Sequence, residues 1–381
     1  MRILCTFVGG HGHLTPLLPL ARAARDAGHE VLIAGSGGLV PAIEAAGFRG
    51  FATSPPRHHD GAAADGTTTP LEVTGARAAQ VEFAANFASR GARRMAAAVS
   101  DLLEEHRPDL VLRDETDLGS TIAAELHGVP VATHLVLASG LLVRPELVAP
   151  ELDAVRAEHG LAPDPDLTRL TSGPVLSDFP PSFRSPDAPL TVHPLHYRSA
   201  TPVRGRRTTS RPTVYATLGT IFNKTSGDLF ERLAAGLGGL DADVVVTIGR
   251  ELDPATFGPQ PAHVRIERFV PQAEVLAGAD LVVSHGGSGS LMAALAHGLP
   301  SVLLPLGADQ PHNALRADEL GVATTLDAAT ASPAEIRDAA RAVLGDDTMA
   351  ERCREVADEL ASLPPVGAAV ATLEDALRVR P

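Results

Sequence analysis

Along this chain two hydrophobic rhythms alternate. Short, nearly continuous apolar runs at Ile3–Val8, Val31–Ala34, Leu110–Leu112 and Val129–Thr133 have the length of strands covered on both faces. Between them, helix-spaced patterns predict helices over Thr15–Ala27, Pro41–Ala46 and Gly119–His127. After Pro212 the alternation resumes. Strands are expected at Thr213–Leu218, Val244–Ile248, Val264–Arg268, Leu281–Ser284 and Ser301–Leu304. Helices are expected near Gly227–Leu237, Ser288–Ala296, His312–Leu320 and Pro333–Leu344, with a last one after Pro364-Pro365. Strands alternating with helices imply right-handed βαβ units and parallel sheets. The expected fold class is therefore α/β, with two Rossmann-like domains facing each other across a cleft.

Two intervals break the rhythm. Ala52–Pro70, rich in Pro, Gly, Thr and Asp, is expected to be a long loop of the kind that forms lids or binding segments. Pro180–Pro212 carries Arg204, Arg206, Arg207 and Arg211 and is expected to be an exposed interdomain linker rather than a phosphate-binding patch. The domain boundaries follow: residues 1–200, a linker at 201–212, a second domain at 213–363, and a terminal helical segment at 364–381.

Composition narrows the function. With 381 residues, 44% hydrophobic and 20% charged, the chain is an ordinary globular protein of two-domain size. A formal net charge of −14 makes it a poor non-specific binder of nucleic acid or anionic membrane. An anionic ligand must instead be held by local devices such as a helix N-terminus. Two cysteines, Cys5 and Cys353, at opposite ends of the sequence exclude a disulfide framework, and no Cys/His spacing suggests a zinc site. Leu126–Val143 and Leu281–Ala308 lack charged residues, but Gly and Pro interrupt both, so buried strands and helices explain them better than membrane spans. The N-terminus lacks the apolar stretch and cleavage site of a signal peptide, and a cytoplasmic location is expected.

Two constellations carry candidate chemistry. The first strand runs into Gly9-Gly10-His11-Gly12-His13-Leu14-Thr15-Pro16. As a dinucleotide fingerprint it is deficient: Thr15 occupies the place of the third glycine, and no acidic residue ends the second strand. As a general-base site it is better, because an imidazole beside a cleft titrates near working pH and needs an orienting carboxylate on a neighbouring loop. Arg113-Asp114-Glu115-Thr116-Asp117 supplies candidates at the same end of the first sheet, with Asp117 read as a helix cap. The second constellation is His285-Gly286-Gly287-Ser288-Gly289-Ser290, between a strand and a helix. Exposed backbone N–H groups, the helix N-terminus and two hydroxyls would together cradle a diphosphate. The absence of a Gly-Lys-Ser/Thr ending excludes a Walker-type loop.

In order, Phe269-Val270-Pro271-Gln272, His285–Ser290, Gly298-Leu299-Pro300 and Asp309-Gln310-Pro311-His312-Asn313-Ala314 form a set that resembles the donor-binding signature of family 1 glycosyltransferases. More closely it resembles the bacterial enzymes that glycosylate natural products, and Gly12-His13-Leu14-Thr15-Pro16 resembles the N-terminal element of that family. The resemblance spans essentially the whole chain. It implies the GT-B arrangement, with an acceptor-binding domain at 1–200, a nucleotide-sugar domain at 213–363 and a terminal helix packing back on the first domain. It implies that His13 is the base, Asp114 its acidic partner and His11 a loop residue near the sugar. His285 with Gly287, Ser288, Gly289 and Ser290 would contact the diphosphate, and Asp309 and Gln310 the hydroxyls of the sugar. Val270 and Gln272 would border the nucleobase, and Thr220 the phosphates. No metal or other cofactor is implied beyond the nucleotide sugar, and transfer would invert the anomeric centre.

One departure bears on the donor. Eight residues after the signature histidine, where plant members hold a ribose-binding glutamate, stands Ala293. Its absence suits a deoxyribose, hence a dTDP-sugar. The acceptor is expected to be a small hydrophobic aglycone, since 3% aromatic content without Trp argues against glycan-binding platforms. Phe83, Phe87, Leu141 and Leu142 are its candidate contacts, each competing with a plain core role. Two readings from other classes compete: a catalytically silent helper of a partner glycosyltransferase, and a nucleotide-dependent oxidoreductase. A lipid-linked sugar transferase of the same fold would need an apolar and basic membrane patch that the sequence does not display. A homodimer is left open, as are the identities of the aglycone and sugar and the element bearing the new bond.

Overall fold

The computed structural model describes residues 1–56, 71–199, 211–219 and 225–378. Thr220, residues 57–70 of the first Pro-rich interval and residues 200–210 of the second, including Arg204, Arg206 and Arg207, lie outside these described residues. The part of the second interval up to residue 199 is not an exposed linker, since it holds a short strand and buries Phe183 and Tyr197. The described parts of Met1–Asp60, Arg77–Ala200 and Leu363–Pro381 form one compact unit, and those of Gly61–Ala76 and Thr201–Ser362 a second.

In the first unit β1 (Arg2–Thr6), β2 (Glu30–Ser36), β3 (Arg49–Ser54), β4 (Leu110–Asp114), β5 (Val131–His134), β6 (Val175–Ser177) and β7 (Leu195–His196) form one parallel sheet. Its order is β3-β2-β1-β4-β5-β6-β7. The middles of the central strands are apolar because both faces are covered: Ile3, Leu4 and Cys5 of β1 and Leu110, Val111 and Leu112 of β4 are all buried. The second unit repeats the plan with β8 (Thr213–Thr217), β9 (Asp243–Thr247), β10 (Val264–Glu267), β11 (Leu281–Ser284), β12 (Ser301–Leu303) and β13 (Ala323–Thr325). Its order is β10-β9-β8-β11-β12-β13, again parallel.

Both sheets reverse direction once. The chain winds outward from β1 to β3 and then returns to β4 on the other side of β1, and it does the same from β8 to β11. Right-handed crossovers place the helices on opposite faces on either side of such a reversal. The loops leaving the two central strands therefore diverge, opening a crevice at the carboxyl ends.

The helix His11–Asp26 buries Leu14, Leu17, Leu20, Ala21 and Ala24 against the first sheet. Ala369, Val370 and Leu373 of the helix Val366–Arg378 join the same core cluster. His29 Nε2 and Glu374 Oε1, 2.9 Å apart, add a polar tie between the turn after the first helix and the last helix. No helix among the described residues is long and apolar enough to cross a membrane.

The structure departs from the periodicity in instructive places. The first helix begins at His11 rather than Thr15, so His11 is helical and not a loop residue. Gly10 adopts the extended cap conformation, and its carbonyl accepts from His13 N–H at 3.0 Å. Glycines that read as a turn thus serve as the cap and first turn. A π-helical segment, Ala84–Gly91, lies between the helices Ala76–Phe83 and Ala92–His106. Ala52–Ser54, expected in a loop, completes β3. The helices Pro145–Glu158 and Asp347–Ser362, and the short strands β6, β7 and β13, were not visible as periodic runs.

Gly119 tests the packing. A Cβ there would meet the Ala92 carbonyl oxygen at 2.2 Å and the Ala96 nitrogen at 2.8 Å, backbone atoms that cannot turn aside. Gly119→Ala is expected to destabilise the protein by about 1–3 kcal/mol. Gly367→Ala, in open space at an exposed position of the last helix, should be neutral or stabilising by up to about 1 kcal/mol. Denaturant titration of both variants checks the pair; equal effects would contradict the packing.

Candidate active site

The first site stands at the reversal point of the first sheet. His13 lies in the first turn after β1, and Asp114 is the last residue of β4, the strand beside it. His13 Nδ1 is 2.8 Å from Asp114 Oδ2. An ionised carboxylate only accepts, so this contact assigns the hydrogen to Nδ1 and the lone pair to Nε2. Gly9, with φ of +114°, lets the ring approach: a Cβ there would stand 2.4 Å from His13 Cδ2.

Asp114 is held as firmly as it holds. Its Oδ1 accepts from the N–H groups of Thr116 and Asp117, both at 2.8 Å, and from the Thr116 hydroxyl at 2.9 Å. The two neighbouring carboxylates face elsewhere. Glu115 accepts from the N–H groups of Val136 and Leu137 at 3.1 and 3.0 Å. Asp117 accepts from Ser120 N–H and Oγ at 3.1 and 2.5 Å, at the start of the helix Gly119–His127. Of the carboxylates in this turn, Asp114 is thus the one bonded to His13.

Sequence reasoning missed what organises this turn. Arg113 is 1% exposed, and its Nη1 donates to the carbonyls of Asp114, Glu115 and Asp117 at 3.0, 3.0 and 3.2 Å. Its Nη2 reaches the Leu170 carbonyl at 2.8 Å. Burial pulls the guanidinium below its usual range, while Asp117, Asp114 and Glu115 oppose that pull. Burial also pushes the carboxyls of Glu115 and Asp117 upward, against Arg184 and the Leu137 and Val136 N–H groups in the first case and Ser120 in the second. The signal in the sequence is an Arg directly after the apolar run Leu110–Leu112 and beside three carboxylates.

The candidate acceptor contacts separate into two groups. Phe83 and Leu142 are buried in the hydrophobic cluster beneath the π-helical segment. Phe87 is half-buried, stacks on Phe83 at 4.8 Å between centroids and lies 6.4 Å from the His13 ring. Leu141 is partly exposed, and its carbonyl accepts from Gln80 at 3.1 Å.

The second site occupies the matching position in the second unit. His285 follows β11, and Gly219, with φ of +74°, follows the adjacent β8. A Cβ on Gly219 would meet His285 Cε1 at 2.7 Å, so the imidazole packs on glycine as His13 does on Gly9. Gly287 caps the helix Ser288–Ala296. From the loop before the helix Gln310–Leu320, Asp309 Oδ2 accepts from Ser288 Oγ at 2.6 Å, Ser288 N–H at 3.3 Å and Asn313 Nδ2 at 2.8 Å. The carboxylate sits at the positive end of the helix macrodipole, where negative charge is stabilised. Asn313 also donates to the Gly286 carbonyl at 3.0 Å, a bracing role that the sequence reading left unassigned.

Gln310 is 2% exposed, and its Oε1 accepts from the N–H groups of Leu306 and Gly307 at 2.8 and 3.2 Å. These bonds span Ala308, which is held at φ of +53°, a costly value for a residue with a Cβ. Val270 packs against a small apolar cluster beside Ala293, and Gln272 opens the short helix Gln272–Leu276. Exposed Phe269 carries the Arg250 guanidinium 4.3 Å above its ring. Among the described residues no group of three His, Cys, Asp or Glu is arranged to hold a metal ion.

Burial pushes the His285 imidazole down to about 4, against the opposing pull of Asp309. As pH falls, the unfolded chain binds the proton first. The stability contributed is complete above the unfolded value near 6.5 and is lost as pH falls toward 4. Between pH 7 and pH 5 the protein should lose about 2 kcal/mol more stability than its His285→Gln variant. Denaturant titrations at the two pH values measure this; equal losses would contradict a neutral buried imidazole.

Comparison with known proteins completes the description. Residues 22–199 match the N-terminal domain, and residues 231–376 the C-terminal domain, of erythromycin biosynthesis protein CIII-like proteins. L-demethylnoviosyl transferase of Streptomyces niveus is 30% identical over 380 residues, which cover 96% of this chain and 95% of that enzyme. Tylactone mycaminosyltransferase of Streptomyces fradiae is 29% identical over 419 residues, covering 98% and 92%. Among solved structures, glycosyltransferase VinC in complex with dTDP is similar at a TM-score of 0.75 and 25% identity, covering 99% of this chain and all of that one. Two parallel-sheet Rossmann-like units, signature motifs and full-length relatives together place the chain in the EryCIII-like family, the GT-B glycosyltransferases of natural-product biosynthesis.

Proposed function

We propose that this enzyme moves a sugar from a dTDP-sugar to a small hydrophobic aglycone with inversion, using His13 as general base and Asp114 as its partner. The observation that carries the reading is the 2.8 Å bond between His13 Nδ1 and Asp114, which puts the lone pair on Nε2. In the reaction Nε2 takes the proton of the acceptor hydroxyl, and the oxygen forms its bond to the anomeric carbon. The bond from that carbon to the diphosphate breaks on the opposite face, and its electron pair leaves with the phosphate oxygen. Asp114 stabilises the imidazolium.

The nucleotide sugar is a co-substrate, and neither metal nor other cofactor takes part. Charge growing on the diphosphate is met by His285 and by the first-turn N–H groups of the helix Ser288–Ala296, which lack partners within the helix. Asp309 addresses the sugar hydroxyls, with Gln310 bracing its loop. Val270 and Gln272 border the base, and Thr220 the phosphates. Residues 1–200, completed by 364–381, bind the acceptor, residues 213–363 bind the donor, and 201–212 link them. Phe87 and Leu141 are the acceptor contacts best supported by exposure. The enzyme works in the cytoplasm. A thymidine donor is supported by Ala293 in place of a ribose-binding carboxylate, and by the dTDP complex of the relative VinC.

Two measurements test this. His13→Ala should lower transfer from a dTDP-hexose by roughly 10²–10⁴-fold while leaving dTDP affinity nearly unchanged, as read by calorimetric titration. Near-normal turnover would remove His13 from the mechanism. Titrating the wild-type protein with dTDP and UDP should give tighter binding of dTDP, and a clear preference for UDP would overturn the donor assignment.

A further inference from the structure

Thr116 stands between the two partners of the base. Its Oγ1 lies 2.9 Å from Asp114 Oδ1 and 3.2 Å from His13 Nδ1, while its own N–H donates to Oδ1 at 2.8 Å. A threonine hydroxyl has one hydrogen to give, and Asp114 Oδ1 can only accept it. The lone pairs of Oγ1 are then left toward Nδ1, whose hydrogen is shared between Asp114 Oδ2 at 2.8 Å and Thr116 Oγ1. Thr116 is 1% exposed and sits in the turn that Arg113 binds through the carbonyls on either side of it. Its hydroxyl therefore has a fixed position, and water does not compete for it.

We infer that Thr116 is a positioning residue, whose hydroxyl fixes the ring plane of His13 by bridging the imidazole to the far oxygen of Asp114. Asp114 Oδ2 defines one direction for Nδ1–H. The second acceptor, Thr116 Oγ1 of the same turn, defines the ring plane and so the direction of Nε2. The same bond strengthens as the ring becomes positive, so the hydroxyl stabilises imidazolium at the moment the proton arrives. This inference rests on the assignment of His13 as the base.

Thr116→Val removes the hydroxyl, conserves shape and leaves the Thr116 backbone bond to Asp114 in place. The variant is expected to fold normally and to lose about tenfold in kcat, the worth of one charge-assisted hydrogen bond, with KM for the nucleotide sugar unchanged. The acid limb of its pH–rate profile should move to lower pH, and Thr116→Ser should restore both. Nitrogen NMR of histidine-labelled protein, followed through pH, should show the Nδ1–H tautomer of His13 in both proteins, since Asp114 assigns it, and should show the Thr116→Val imidazole gaining its second proton at lower pH than the wild type. Thr116→Ala serves as the hydroxyl-free variant if the valine protein does not fold. Wild-type kcat with an unmoved His13 titration, or a serine variant as slow as the valine one, would overturn the inference. The NMR readout needs no substrate, so a His13 titration moved by Thr116→Val in a protein whose His13→Ala variant still transfers sugar would overturn the base assignment while leaving the bridge standing.

Discussion

The reversal of strand order at the centre of each sheet is the constraint from which both sites follow. Right-handed crossovers must cover one face while the chain winds outward and the other after it returns, so the loops at the carboxyl ends of β1 and β4, and of β8 and β11, part from one another. Each parting is filled in the same way, by an imidazole resting on a left-handed glycine from the first strand of its unit: His13 on Gly9, His285 on Gly219. The two rings differ in what surrounds them. His13 is bonded to a carboxylate within a polar turn, which suits proton transfer. His285 is kept neutral by burial, which suits a site whose anionic partner is met by backbone N–H groups and a helix dipole.

Placing charge at the end of a buried strand is expensive, and the turn after β4 shows how the cost is met. Asp114, Glu115 and Asp117 are all buried, each with backbone or hydroxyl donors of its own. Arg113 supplies the opposite charge while its Nη1 donates to the carbonyls of that same turn and its Nη2 to the Leu170 carbonyl. Removing one partner from such a network leaves the others buried and uncompensated, so the cluster specifies a single arrangement of the turn. The arrangement it specifies is the one that presents Asp114 to His13.

Much of this was legible in the sequence because parallel strands covered on both faces announce themselves as apolar runs. β11 and the helices Gly119–His127, Ser288–Ala296 and Pro333–Leu344 match their periodicity to the residue. What escaped has physical reasons. The strands β6, β7 and β13 have only two or three residues each, too few to form a period. The π-helical turn Ala84–Gly91 shifts the phase of a helix without changing its composition. At the sites, a residue type identified by spacing does not disclose which neighbour it bonds. Glu115 and Asp117 are separated from Asp114 only by the backbone path of the turn, and Gln310 carries a bracing role visible only once Leu306 and Gly307 are positioned. Phe83 and Phe87, alike in sequence, divide into core and partly exposed surface.

The claim on which the account turns is that His13 and Asp114 act as one device. The direct measurement is a double-mutant cycle on transfer from a dTDP-hexose, using His13→Ala, Asp114→Asn and the double variant. If Asp114 works only through the imidazole, each single change slows transfer, and the double variant is no slower than His13→Ala alone. Independent, additive losses would contradict the pairing and separate the carboxylate from the base.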